Sequence, residues 1–122
     1  MTGQAIIEQA ARLLGYTAAN GNLQLSARIT NRALGIINSI YSDLWRICCE
    51  GEFVAAPTLL TEIRLPERAL NDVFIYGAAM LMAQSESDGD SQQLYSALYN
   101  QKRSGLSRVT VITDVLPRGE DE

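Results

Sequence analysis

Apolar residues recur at helical spacing in several stretches of this chain, and the longest such stretch covers residues 25–48. Three- and four-residue steps between apolar positions are typical of an amphipathic helix. The stripe consists of Ile29, Ala33, Ile36, Ile37, Ile40, Leu44 and Ile47. Tyr41 and Trp45, four residues apart, lie on a face beside it. A stripe of this length needs a large partner surface, which predicts a helical bundle.

A first helix is predicted over residues 2–14. Thr2 is suited to cap its start, and Gly15 is suited to end it in a left-handed conformation. Its predicted core face consists of Ile6, Ala10, Leu13 and Leu14.

A third helix is predicted to begin at Pro66, whose missing N–H is tolerated in a first turn, and to end at residue 85 or 86. Its predicted core stripe is Leu70, Val73, Phe74, Gly77, Met80 and Leu81. Gly77 weakens the helix but allows another backbone to come close, which predicts a buried helix crossing there.

The last predicted helix begins with Asp90 or Ser91 as its cap and ends at Gly105. Its pattern places two leucines on the core side and two tyrosines beside them. The leucines are Leu94 and Leu98, and the tyrosines are Tyr95 and Tyr99.

Two stretches depart from helical spacing. Residues 59–65 alternate, with Ile63 and Leu65 on one side and Glu62 and Arg64 on the other, which predicts a short extended segment. A small hairpin with residues 53–55 is a second possibility. Residues 109–115 are rich in β-branched side chains and need a partner strand, either residues 59–65 or a strand of another subunit.

The whole pattern predicts a mainly α fold. It is a four-helix bundle in residues 1–105, with a short extended segment between helices 2 and 3, followed by an extended C-terminal arm in residues 106–122. The length of 122 residues and the 47% hydrophobic share suit one globular domain. The longest apolar run is too short to span a bilayer, and no signal peptide is recognisable, so we expect a cytosolic origin and no membrane.

The composition argues against catalysis. The chain has no histidine and no nucleotide-binding glycine motif, and its two cysteines, Cys48 and Cys49, are adjacent rather than spaced for zinc. Asp88 and Asp90 are interpreted as helix-capping groups in a turn. We therefore expect no enzyme, no catalytic or metal site, and no cofactor.

Basic residues cluster at Lys102, Arg103 and Arg108. Phosphate contact, compensation of a helix dipole and pairing with an acidic partner are all open interpretations. The net charge of −4 does not favour broad DNA binding. Together with the arm and the tyrosines, these residues form a predicted surface for a partner or a neighbouring subunit: Arg108, Val109, Val111, Ile112, Val115, Tyr95, Tyr99, Lys102 and Arg103.

Four segments together resemble the small head–tail connector proteins of tailed bacteriophages, also called adaptor or head-completion proteins. They are residues 36–45 (IINSIYSDLW), 62–67 (EIRLPE), 76–80 (YGAAM) and 99–103 (YNQKR). The resemblance covers residues 21–105 and contains no catalytic signature.

The resemblance implies a structural protein of the virion neck, assembled in the host cytoplasm. Copies would form a dodecameric ring between the portal protein and the tail, extending the DNA channel and giving the next tail or head-completion protein a docking surface. DNA would pass without specific binding. Residues 107–117 match the C-terminal extension, which in this family reaches into the portal or a neighbour. The alternative is a small helical nucleic-acid-binding protein with a packaging or regulatory role, supported by the basic cluster with Arg28 and Arg32.

Overall fold

The computed structural model describes residues 1–106 of the chain. Within them, a π-helical turn, Ala69–Phe74, leads directly into the third of the helices. These are α1 (Gly3–Leu14), α2 (Ala27–Cys48), α3 (Ile75–Ser85) and α4 (Gly89–Ser104). The predicted mainly α fold with four helices is confirmed, and residues 1–106 contain no regular strand.

The predicted start and end of the first helix and the predicted start of the second are confirmed by their caps. The Thr2 hydroxyl accepts a hydrogen bond from the Ala5 N–H at 3.2 Å, and Gly15 ends α1 with a left-handed φ of 77°. The Ser26 hydroxyl likewise accepts from the Ile29 N–H at 3.2 Å and begins α2. Each cap satisfies backbone groups that have no partner inside the helix.

The core face of α1 differs from the prediction at Leu13, which is 48% exposed. The buried positions of α1 are Gly3, Ile6, Ile7, Ala10 and Ala11. At about 100° per residue these form an arc whose edge lies beside Leu13. Ile7 and Ala11 therefore extend the buried face on the side away from Leu13.

Helix α3 lies at the centre of the bundle and contacts each of the other helices. It is buried on most of its circumference, through Ile75, Gly77, Ala78, Ala79, Met82 and Ala83. Of the predicted stripe, Met80 and Leu81 are only half-buried. A helix that is apolar on all sides suits a central position. The start of this helical region at Pro66 is confirmed, since the Pro66 carbonyl accepts from the Ala69 N–H at 2.9 Å.

Helix α4 begins earlier than predicted and buries a different face. Asp88 is its cap, because its carboxylate accepts from the Ser91 N–H at 3.3 Å. Leu94 is 53% exposed, whereas Tyr99 is only 5% exposed. The prediction that leucines rather than tyrosines face the core is therefore wrong at these positions. The reason is local space: Gly77 leaves room on α3 for the Tyr99 ring.

The segment between α2 and the π-helical turn forms no hairpin, so the second possibility, a hairpin strand at residues 53–55, is wrong. The predicted alternation is confirmed at Ile63, which is buried between exposed Glu62 and Arg64. This segment pairs with the N-terminus instead, through an isolated bridge between Thr2 and Glu62. Both interpretations of residues 109–115 concern a part of the chain outside the described residues.

Candidate functional site

Three side chains of α2 hold the segment formed by residues 49–65, which we call the pinned loop. Asn38 makes two bonds to one residue: its Oδ1 accepts from the Ala56 N–H at 2.8 Å, and its Nδ2 donates to the Ala56 carbonyl at 3.0 Å. The Tyr41 hydroxyl accepts from the Arg64 N–H at 3.0 Å, and the Trp45 indole donates to the Gly51 carbonyl at 3.1 Å. The loop is thus fixed near its start, middle and end.

Aromatic packing holds the pinned loop against the same face of α2. The Phe53 ring meets the Tyr41 ring edge-on, with centroids 5.0 Å apart and planes at 89°. Trp45 lies 6.4 Å from Phe53 and 6.3 Å from Tyr41. Edge-to-face geometry of this kind is favourable beyond the burial of area. Side chains spaced three and four residues apart on α2 therefore form one binding face for the loop.

The pinned loop presents apolar side chains to solvent. Val54 and Leu60 are each 76% exposed, the most exposed large hydrophobic residues in the described part of the chain. Ala55 and Pro57 beside them are exposed as well. Apolar groups held on a fixed backbone lose little conformational entropy when a partner covers them, which suits a protein-binding surface.

Replacing Asn38 by alanine is expected to lower the free energy of unfolding by about 1–1.5 kcal/mol, because both polar groups of the Ala56 backbone lose their partner. Urea unfolding followed by circular dichroism measures the loss. Asn31→Ala is the matched control, since Asn31 is exposed on the same helix. An equal effect of the two substitutions would contradict the pinning role of Asn38.

A second polar centre joins the end of α4 to α2, and we call Asp43, Tyr99 and Arg103 the Asp43 clamp. The Arg103 guanidinium donates to both oxygens of the Asp43 carboxylate, at 2.6 Å and 2.8 Å. The Tyr99 hydroxyl donates to the same carboxylate at 2.5 Å. Arg46, from α2 itself, approaches Asp43 at 3.3 Å. The two-point contact with Arg103 fixes the last turn of α4 against α2.

The electrostatics of the clamp follow from these contacts. The hydrogen bonds of Arg103 hold the pKa of Asp43 below its ordinary value. Burial opposes this lowering, and the Tyr99 hydrogen bond adds to it. Burial raises the pKa of the Tyr99 hydroxyl, and the neighbouring Asp43 carboxylate raises it further. The clamp therefore joins a charged carboxylate, a charged guanidinium and a neutral phenol at neutral pH.

The structure gives several of the predicted partner-binding residues a place within the bundle. Tyr99 and Arg103 belong to the clamp, and Tyr95 donates to the Leu13 carbonyl at 3.3 Å. Lys102 and Arg103 lie in the last turn of α4, where cations favour the helix dipole. Contact of these residues with a partner stays a prediction. The remaining residues of that set, Arg108, Val109, Val111, Ile112 and Val115, lie outside the described residues.

Sequence reasoning did not find the partner of Arg103 or the role of Asn38. Asn38 and Asp43, the partner of Arg103, both lie off the apolar stripe of α2, and polar residues off such a stripe look like ordinary solvent-exposed positions. The spacing of Asn38, Tyr41 and Trp45 was the available signal for the loop-binding face, because it places them on one side of the helix. No comparable signal linked Asp43 to a residue 60 positions later.

Residues 1–106 contain no group of three or more His, Cys, Asp or Glu side chains placed to hold a metal ion. No helix in the same part of the chain combines the length and apolarity required to cross a membrane. Neither Cys48 nor Cys49 takes part in a disulfide bond. Comparison with protein-family models, with curated proteins and with solved structures gave no match.

Proposed function

We propose that this chain is a structural subunit of a tailed-phage neck, forming a ring between the portal and the tail. The observation that carries the proposal is the pinned loop. It presents Val54 and Leu60 to solvent on a backbone fixed at three points by α2. Exposed apolar side chains on a fixed backbone form a surface suited to a partner.

The Asp43 clamp, on another side of α2, also supports the proposal. It fixes the last turn of α4, and Leu106, the residue that follows, packs against the core. The arm in residues 107–122 therefore departs from a fixed position. An arm with a fixed origin and β-branched composition is suited to gain order on the portal or on a neighbouring copy.

The remaining elements of the proposal rest on the resemblance in sequence. They are a dodecameric ring, a channel through which DNA passes without specific binding, and a docking surface for the next tail protein. The net charge of −4 is compatible with a channel that does not retain DNA, since phosphate contacts require cations.

The test is co-sedimentation of the full-length chain with the portal protein encoded in the same genome. We expect binding by the full chain, loss of binding for a chain ending at residue 106, and loss of virion assembly in a phage carrying that truncation. A chain lacking only residues 119–122 is the matched control and is expected to bind. Absence of binding by the full chain, or normal assembly without the arm, would overturn the proposal.

The alternative, a small nucleic-acid-binding protein, has one supporting observation. Arg28 and Arg32 are exposed one turn apart on α2. Arg103, however, is engaged by Asp43, which removes it from the cations available to phosphate. A gel shift that weakens with rising salt would support this alternative, and no shift at low salt would dismiss it.

A further inference from the structure

The pinned loop contains a stretch of backbone that has no hydrogen-bonding partner within residues 1–106. Its neighbours on both sides are satisfied: the Gly51 carbonyl by Trp45, and the N–H and carbonyl of Ala56 by Asn38. Between them, no hydrogen bond joins the backbone of residues 52–55 to any other part of residues 1–106. This stretch includes exposed Val54. A short backbone edge is thus held open between two fixed points.

A groove runs beside this edge. The rings of Tyr41 and Trp45 line it from α2, and Val54 and Pro57 line it from the loop. Charged side chains of both signs complete the lining: Glu52, Glu62 and Arg64. Open backbone groups next to an apolar groove are the two features that strand addition uses, the first for affinity and the second for side-chain selection.

The chain itself contains a segment of matching chemistry. In residues 109–115 every second position carries Val109, Val111, Thr113 or Val115, so an extended strand would turn three valines to one side. Arg108 directly precedes this segment and Asp114 lies within it, both on the face opposite the valines. Their charges are opposite to those of Glu52 or Glu62 and of Arg64. Residues 1–106 offer no regular strand with which this segment could pair.

The direction in which the arm leaves the bundle points to a second copy of the chain. The clamp holds the end of α4 at Asp43, which lies two residues from both Tyr41 and Trp45 on α2. Two residues correspond to about 160° around a helix, so the arm starts on the side of α2 opposite the groove. Only residues 107 and 108 separate Leu106 from residues 109–115, a span of about 10 Å when extended, so the receiving edge has to belong to a molecule packed directly beside the end of α4.

We propose that residues 109–115 of one copy add as a strand along residues 52–55 of a second copy. The proposal rests on the assembly of copies in the proposed function, but it does not require the portal. Head-to-tail contacts of this kind are heterologous: each copy donates one arm and receives another, and a ring closes when the rotation between copies allows it.

The test mixes two full-length variants. Val54→Asp blocks the receiving edge, and Val111→Pro removes an N–H from the middle of the arm and disfavours its pairing. Sedimentation velocity over a concentration series measures association. We expect the wild type to associate, and each variant alone to associate at least about tenfold more weakly, because a buried apolar contact or a strand hydrogen bond is lost. An equimolar mixture should form dimers and nothing larger, since only one arm and one edge remain usable.

Leu94→Asp is the matched control, because it places the same charge at another exposed apolar position, and it should associate like the wild type. A wild type that stays monomeric at every concentration, or a mixture that stays monomeric, would overturn the proposal. Circular dichroism establishes that each variant is folded. Self-association without binding to the portal would leave this inference standing and remove the proposed neck function, so the two failures are distinguishable.

Discussion

Replacing Gly77 by valine will destabilise the domain by about 3 kcal/mol, since extra atoms in a filled core force neighbours out of their rotamers. A Cβ atom at this position would lie 2.8 Å from the Tyr99 ring and 2.9 Å from the Ile40 Cδ1. Both neighbours are buried, so the new side chain would push α4 and α2 away from α3. Urea unfolding measures the effect as a lower midpoint with an unchanged slope.

Gly35 provides the control, because replacing it by alanine adds the same atoms but is expected to change stability in the opposite direction. It also lies inside a helix, but a Cβ there would meet no atom within 4 Å. Gly35→Ala is therefore expected to stabilise the domain by about 0.5–1 kcal/mol through helix propensity alone. Gly77→Ala gains the same helix propensity, but the crowding against Tyr99 and Ile40 costs more than this gain, so the variant is expected to be less stable than the wild type. Stabilisation by both alanine variants would refute the close crossing at Gly77.

Replacing Asp43 by alanine will lower the free energy of unfolding by about 2 kcal/mol. Three short hydrogen bonds are lost, and the buried Tyr99 hydroxyl is left without its acceptor. Arg103→Gln should have a smaller effect, about 1 kcal/mol, because the Arg103 side chain is 39% exposed and water screens its charge. Lys102→Gln, at the adjacent exposed cation, is the control and should change stability little.

A double-mutant cycle between Asp43 and Arg103 isolates their interaction, and we expect a coupling free energy of about 1 kcal/mol.

The contribution of this pair to stability depends on pH. The pKa of Asp43 is lower in the folded state than in the unfolded state. The ionised carboxylate therefore contributes fully to the free energy of unfolding above about pH 4, and this contribution is lost as the pH falls further. Asp43→Asn should lack that part of the acid-induced loss of stability. Identical acid profiles for wild type and variant would contradict this assignment.

The two centres have different consequences for assembly. The pinned loop is a receiving surface, and its geometry depends on Asn38, Tyr41 and Trp45. The Asp43 clamp sets where the arm begins, and its contribution is electrostatic. Acid or an Asp43 substitution should therefore loosen the origin of the arm, whereas an Asn38 substitution should loosen the surface that receives it. Both centres use α2, which makes this helix the common support of the proposed interfaces.

The beginning and end of α1 and the length of α2 could be predicted because helix boundaries depend on residues close together in sequence. The Thr2 and Ser26 caps each act on an N–H only three residues away, and Gly15 ends α1 through its own backbone freedom. The apolar stripe of α2 is long and regular, so the buried face of this helix could be predicted as well. The close crossing at Gly77 could also be anticipated, because glycine inside a helix weakens it unless space is required.

The buried face of α4, the pinned loop and the Asp43 clamp were decided only by tertiary structure. Leucine and tyrosine are both apolar enough to face a core, and the space beside Gly77 selected Tyr99 over Leu94. Residues 53–55 did not pair as a strand, because Asn38 forms hydrogen bonds with the N–H and the carbonyl of the next residue, Ala56. Arg103 donates hydrogen bonds to Asp43, which lies 60 positions earlier in the sequence. By itself the sequence determined which segments are helices, because the hydrogen bonds and caps of a helix join residues close together in sequence. The packing of α2, α3 and α4 determined which polar groups meet, because those contacts join residues that only the fold brings together.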